Sequence, residues 1–91
     1  MKNIENREEL RNALVAFLAD RPARAYSVSE LARARDIRQS VDAEFDESHV
    51  QDALAILIGF GLVQEVPRQL AGLSDYKITS EGVIFRERNL P

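Results

Sequence analysis

Apolar side chains recur along the chain in two periods, and they divide it into a run of helices followed by a hairpin. Leu10, Leu14, Phe17 and Leu18 stand at i, i+4, i+7 and i+8, one stripe of a 3.6-residue helix. Asn6 with Glu9 three residues on has the form of a capping box, and Glu8 adds negative charge where the free N–H groups of a first turn favour it. Asp20-Arg21-Pro22 ends this helix, because the residue before a proline is pushed out of helical geometry. A second helix is expected from Ser27-Val28-Ser29-Glu30, with Ser27 as cap and Glu30 as its reciprocal partner. Val28, Leu31 and Ala32 form its inner face, while Arg33, Arg35 and Asp36 point elsewhere. Arg24-Ala25-Tyr26 before it suits a short strand. From Arg38 to Glu44 the pattern fits either a continuation of the helix or a loop.

The third helix is the most strongly marked. Asp46 is an N-cap, and Phe45 before it with Val50 after it occupy the positions of a hydrophobic staple. Val50, Ala53, Leu54 and Leu57 give a core-facing stripe, and Gly59 and Gly61 close the helix, with Gly61 suited to the left-handed position just past its end. Leu62 to Val66 and Tyr76 to Thr79 then read as paired strands joined by a loop over Pro67 to Asp75, with Gly72 near its tip. Thr79-Ser80-Glu81-Gly82 caps a last short helix that carries Val83, Ile84 and Phe85 and ends in Arg86-Glu87-Arg88. No repeat, linker or low-complexity stretch interrupts the 91 residues, so a single domain spanning 1–91 is expected.

Composition removes several classes of chemistry. Without cysteine the chain can form neither disulfides nor thiolate metal sites, and a single histidine is too few for a histidine-based zinc site. No metal and no cofactor is expected. The first residues, Met1-Lys2-Asn3-Ile4-Glu5-Asn6, lack the apolar core of a signal peptide, and the apolar run from Ala53 to Val63 is far short of the ~20 residues of a membrane span. The expectation is a cytoplasmic protein with no membrane association. Nothing suggests an enzyme: there is no Gly-rich phosphate loop, no Gly-x-Ser-x-Gly elbow, and nothing that places serines or carboxylates around His49 as a triad.

Net charge is −3, but its distribution says more. Residues 21–38 hold Arg21, Arg24, Arg33, Arg35 and Arg38 against Glu30 and Asp36, whereas residues 42–52 hold Asp42, Glu44, Asp46, Glu47 and Asp52 and no lysine or arginine.

Helix, short strand, helix, helix, hairpin, helix is the element order of a winged helix-turn-helix domain, and three fragments resemble that superfamily. Ser27-Val28-Ser29-Glu30-Leu31-Ala32 looks like the opening of its second helix. Val50-Gln51-Asp52-Ala53-Leu54, with Leu57 and Gly61-Leu62-Val63, is similar to its third helix and the exit into the wing. Tyr76-Lys77-Ile78-Thr79-Ser80-Glu81-Gly82 resembles the second wing strand running into a terminal helix, as in many bacterial and archaeal transcriptional regulators. The resemblance extends over residues 7 to 88 and implies an α+β fold: a three-helix core, a two- or three-stranded β-wing and a short C-terminal helix. It further implies a homodimer that sets the third helix in the major groove of double-stranded DNA, with the wing against the backbone or minor groove. The chain ends soon after the fourth helix, which leaves no room for a small-molecule effector domain.

Two functions follow. A DNA-binding transcriptional regulator would use Arg24, Arg33, Arg35, Arg38 and Arg68 on phosphates, with Ser48, His49 and Gln51 at the start of the third helix reaching bases. A protein-interaction module would use Ile56, Ile58, Leu70 and Leu73 as an apolar surface for a partner or a second copy. The acidic start of the third helix, the apolar Ala55, Ile56 and Ile58 on its outer side, and a wing loop with one cation and two leucines all depart from the DNA-binding pattern. The arginines equally suit a solvated helix face paired with nearby carboxylates, and His49 an ordinary polar surface. Ile56 or Ile58 could instead be covered by the first or last helix or by a folded-back wing.

Overall fold

The computed structural model describes residues 7–69 and 72–90. It is an α+β arrangement of five helices and one two-stranded antiparallel sheet, in the order α1 (Arg7–Ala19), α2 (Val28–Arg33), α3 (Arg35–Ser40), α4 (Glu47–Gly59), β1 (Val63–Pro67), β2 (Ser74–Ile78) and α5 (Ser80–Asn89). One hydrophobic core holds it together, drawn from Leu10, Leu14 and Leu18 of α1, Leu31 of α2, Ile37 of α3, Val50, Leu54 and Leu57 of α4, and Val63, Tyr76 and Ile78 of the sheet. Burying each aliphatic side chain of this kind contributes roughly 1.5–3 kcal/mol before entropy is counted.

The caps read from the sequence form where they are described. The Ser27 hydroxyl accepts from the Glu30 N–H at 3.1 Å, and the Glu30 carboxylate accepts from the Ser27 N–H at 3.0 Å. Asn6 lies outside the described residues. Its expected partner Glu9 has another role: its Oε1 accepts from the Asp42 N–H at 2.7 Å and ties α1 to the loop before α4.

The second helix differs from expectation. It breaks at Ala34, which is extended (φ −63°, ψ 124°), and a separate turn and a half, α3, runs on to Ser40. The three helices expected for the core are therefore four, and residues 41–46 form the loop. Periodicity explains the break. In an unbroken helix Ile37, six residues after Leu31, would lie about 240° around the axis and face solvent. The kink turns it inward, where it is fully buried.

The strands are shifted from their expected limits by competition for backbone groups. Gly61 (φ 76°) is the left-handed residue after α4; its N–H reaches the Ile58 carbonyl at 3.0 Å, and the Leu62 N–H reaches the Leu57 carbonyl at 3.0 Å. This pair of bonds is the Schellman closure, and it keeps Leu62 out of the strand. Val63 pairs with Ile78 and Pro67 with Ser74, while an Arg68 N–H to Leu73 carbonyl bond closes a shorter loop than expected. Thr79 caps α5 instead of extending β2. The expected strand at Arg24–Tyr26 is reduced to one residue: Tyr26 and Tyr76 exchange two backbone hydrogen bonds, so the sheet proper has two strands.

Gly61 gives a direct test. A Cβ there meets nothing within 4 Å, so only the left-handed backbone resists it. Gly61→Ala is expected to lower stability by about 1–2 kcal/mol, read from the urea midpoint.

Candidate recognition surface

The starts of α2 and α4 and the hairpin enclose an open cleft of about 430 Å³, lined among others by Ser29, Glu47, Gln51, Glu65, Arg68 and Leu73. The order of the elements builds it: α2 packs beneath α4, and the hairpin that leaves α4 turns back beside its first turn. The first turn is fixed by Asp46, whose Oδ1 accepts from the Ser48 and His49 N–H groups at 3.0 and 3.2 Å and from the Ser48 hydroxyl at 2.7 Å. These bonds, the Ser48 hydroxyl foremost, hold the Asp46 carboxyl below the usual range. His49 takes the place that glutamate has in a capping box, its Nδ1 accepting from the Asp46 N–H at 3.1 Å. The imidazole expected to read bases is half-buried and occupied in the cap.

The arginines expected to grip phosphate divide into two sets. Arg68 is closed on Asp75, with Nε at 2.9 Å and Nη2 at 2.6 Å from one carboxylate oxygen, a contact that raises its already high pKa. Arg24 pairs with Glu30 at 3.2 Å, and its guanidinium lies 4.5 Å from the centre of the Tyr26 ring. The Ser27 backbone, more than Arg24, draws the Glu30 carboxyl below its ordinary range. Arg33, Arg35 and Arg38 are exposed along α2 and α3. Arg33 bonds back to the Ser29 carbonyl and hydroxyl one turn earlier, and Arg38 stacks 4.8 Å from the centre of the Phe45 ring. Arg35 extends into solvent. Of the residues named for nucleic acid, the cleft brings together only Gln51 and Arg68.

The apolar candidates are scattered as well. Ile58 is 37% and Leu73 47% exposed, Ile56 is half-buried outside the core cluster, and Leu70 lies outside the described residues. Leu73 sits on the lip of the cleft.

Electrostatics is one-sided here. From Gln39 to Pro67, the stretch that includes all of α4 and β1, there is no lysine or arginine, while Asp42, Glu44, Asp46, Glu47, Asp52 and Glu65 are all exposed. Tyr76 behind them has its phenol pushed up, by burial first and by Glu65 second. Among the described residues no three histidine, aspartate or glutamate side chains gather as metal ligands would, and no helix is long and apolar enough to cross a membrane.

Sequence reasoning missed three residues. The sequence places Asp75 in the loop, whereas antiparallel pairing across a short turn sets it beside Arg68. Phe60, between two glycines, belongs to no periodic stripe, yet it is the most exposed large apolar side chain described, at 66%. Ile84, read with the apolar face of the last helix, is 46% exposed. Comparison with protein-family models, with curated proteins and with solved structures finds no match to the chain.

Proposed function

We propose that the chain is a winged helix-turn-helix module, with α4 in the recognition-helix position and β1–β2 as the wing, that binds a protein partner through this face and does not grip a nucleic-acid backbone. One observation carries the reading: the continuous stretch from Gln39 to Pro67 lacks lysine and arginine and exposes six carboxylates. Duplex DNA carries one negative charge per about 1.7 Å of axis, and non-specific affinity comes almost wholly from cations that displace its counterions. A helix that enters a groove with Glu47 and Asp52 outward adds repulsion, and the one arginine in the cleft is neutralised by Asp75. Leu73, exposed on the lip of the cleft, supplies an apolar contact that a protein partner would bury.

The second reading, a homodimeric DNA-binding transcriptional regulator, is favoured by Arg33, Arg35 and Arg38, three exposed arginines on consecutive short helices. A mobility-shift titration on random duplex at low salt separates the two. The expected result is no shift for the wild type and a new, salt-sensitive shift for Glu47→Lys with Glu65→Lys, in which the cleft becomes cationic. A wild-type shift that Arg33→Glu with Arg35→Glu abolishes would reject the protein-partner reading and leave the second.

A further inference from the structure

The hairpin leaves one edge of the sheet open, and its hydrogen bonds fix which groups that edge offers. Opposed residues of an antiparallel pair exchange both backbone bonds or neither. Tyr76 exchanges both of its own with Tyr26, at 2.9 and 2.7 Å, and so turns them away from β1. Glu65, opposite Tyr76, therefore turns its N–H and C=O to the far side of β1. The bonds at the two ends of the hairpin, Thr79 N–H to the Leu62 carbonyl and Arg68 N–H to the Leu73 carbonyl, keep the same alternation. Two residues on, the Pro67 carbonyl also points outward, and proline has no N–H to leave unmet. Among the described residues no backbone group bonds to Glu65 or Pro67 on this side. Val63 is covered, so the open edge runs from Gln64 to Pro67, all of them exposed. Side chains alternate across a strand. Glu65 shares the face of Tyr76, which lines the cleft with Glu47 and Gln51, while Val66, 37% exposed, lies on the opposite face.

We propose that this edge takes a third strand from the protein partner. The added segment is extended and exchanges two backbone bonds with Glu65. It sets a lysine or arginine beside Glu65 on the cleft face and an aliphatic side chain beside Val66 on the other. The inference rests on the protein-partner reading above and adds to it the partner's conformation and charge. Backbone groups select the conformation, because an extended chain presents a donor and an acceptor at the spacing of Glu65. Charge selects the side chain. No lysine or arginine lies between Gln39 and Pro67, Arg68 is closed on Asp75, and Glu47 lines the cleft together with Glu65. Opposite charges directly across two strands stabilise a sheet, and like charges destabilise it. The same rule disfavours a second copy. With Val63 covered, two copies joined about a two-fold axis meet both backbone groups of Glu65 only by setting Glu65 against Glu65. Nucleic acid would bring its phosphates to the same carboxylate.

The probe is an end-capped heptapeptide of alternating lysine and valine, titrated into the 15N-labelled protein and followed by amide shifts and hydrogen exchange. The Glu65 amide is expected to gain at least ~10-fold protection, whereas those of Gln64 and Val66, already bonded to β2, change little. The same peptide N-methylated at its lysine backbone nitrogens keeps its charge and should bind at least ~10-fold more weakly. Glu65→Gln keeps the N–H and removes the charge, and should weaken binding by about 3-fold. Glu65→Pro removes both, yet leaves the ladder to β2 intact because that N–H faces outward; it should weaken binding at least ~10-fold at an unchanged melting temperature. An N-methylated peptide that binds as well as its parent would show attraction by charge alone and overturn the added strand, with the protein-partner reading left standing. No response of the Glu65 amide at millimolar peptide would overturn it too. So would a wild-type dimer that Glu65→Pro dissociates, since the edge would then belong to a second copy. The partner-binding face itself falls by a different result, the wild-type shift of duplex DNA described above.

Discussion

Gly82→Ala is expected to destabilise the protein by about 3 kcal/mol or more, although it adds a single methyl group. Gly82 is buried in the first turn of α5, and a Cβ built there would overlap the Leu62 carbonyl oxygen and the Ile78 side chain. Neither can retreat easily. The Leu62 carbonyl accepts the Thr79 N–H at 3.1 Å, and the Thr79 hydroxyl donates to the Gly61 carbonyl at 2.6 Å while it accepts the Gly82 N–H at 3.0 Å. The methyl group therefore drives apart the knot where the exit of α4, the end of β2 and the cap of α5 meet. A small domain has about 5–15 kcal/mol to lose in total. Gly59→Ala is the matched control: it is helical and has nothing within 4 Å of a Cβ, so it should raise stability by about 0.5–1 kcal/mol. Urea denaturation of both variants checks the contrast, and a Gly82→Ala midpoint equal to that of the wild type would show that α5 does not dock through Gly82.

Gly61 and Gly82 mark what a sequence shows and what it hides. Caps and stripes are local, and they were legible. Ser27 with Glu30, Asp46 with the Phe45–Val50 staple, Gly61 after α4 and Thr79 before α5 each depend on residues within one turn of one another. The left-handed role of Gly61 follows from its place after a helix. Nothing local distinguishes the need for glycine at 82, because the atoms that would clash belong to Leu62 and Ile78. The break at Ala34 was hidden for a similar reason: no glycine or proline marks it, and only the requirement that Ile37 reach the core produces it.

The candidate surface was legible in charge and illegible in pairing. The acidic start of α4 and the arginines of residues 21–38 are facts of composition, and all but Arg21, half-buried between Phe17 and Asp36, survive folding as exposed side chains. Which arginine remains open depends on contacts between elements. Arg68 was expected to grip phosphate until the hairpin register set Asp75 beside it, and Arg24 until the α2 cap set Glu30 within 3.2 Å. Arg35 could not be told apart from Arg38 without the Phe45 ring. Phe60 is apolar where no stripe passes, a position that pattern reading assigns to a helix end and that folding leaves on the surface.

Ile37→Asp should abolish cooperative folding, with a loss of more than ~4 kcal/mol, because it replaces a fully buried aliphatic side chain by a carboxylate with no partner in the core. Arg35→Asp, two residues away, should lie within about 0.5 kcal/mol of the wild type, since Arg35 is exposed. The pair of variants tests the helix break itself. Were α2 to continue unbroken, Arg35 would stand one turn beyond Leu31 on the core-facing stripe, and Ile37 would point into solvent. The order of the two effects would then be reversed: a charge at 37 would be harmless and a carboxylate at 35 costly. The kink at Ala34 does more than bury one isoleucine. It also turns Arg35 and Arg38 outward, so these two exposed cations owe their position to a turn that no local signal in the chain announces. Thermal melts followed by circular dichroism suffice to read the order, and an Ile37→Asp protein that melts like the wild type would return those arginines to an unbroken second helix.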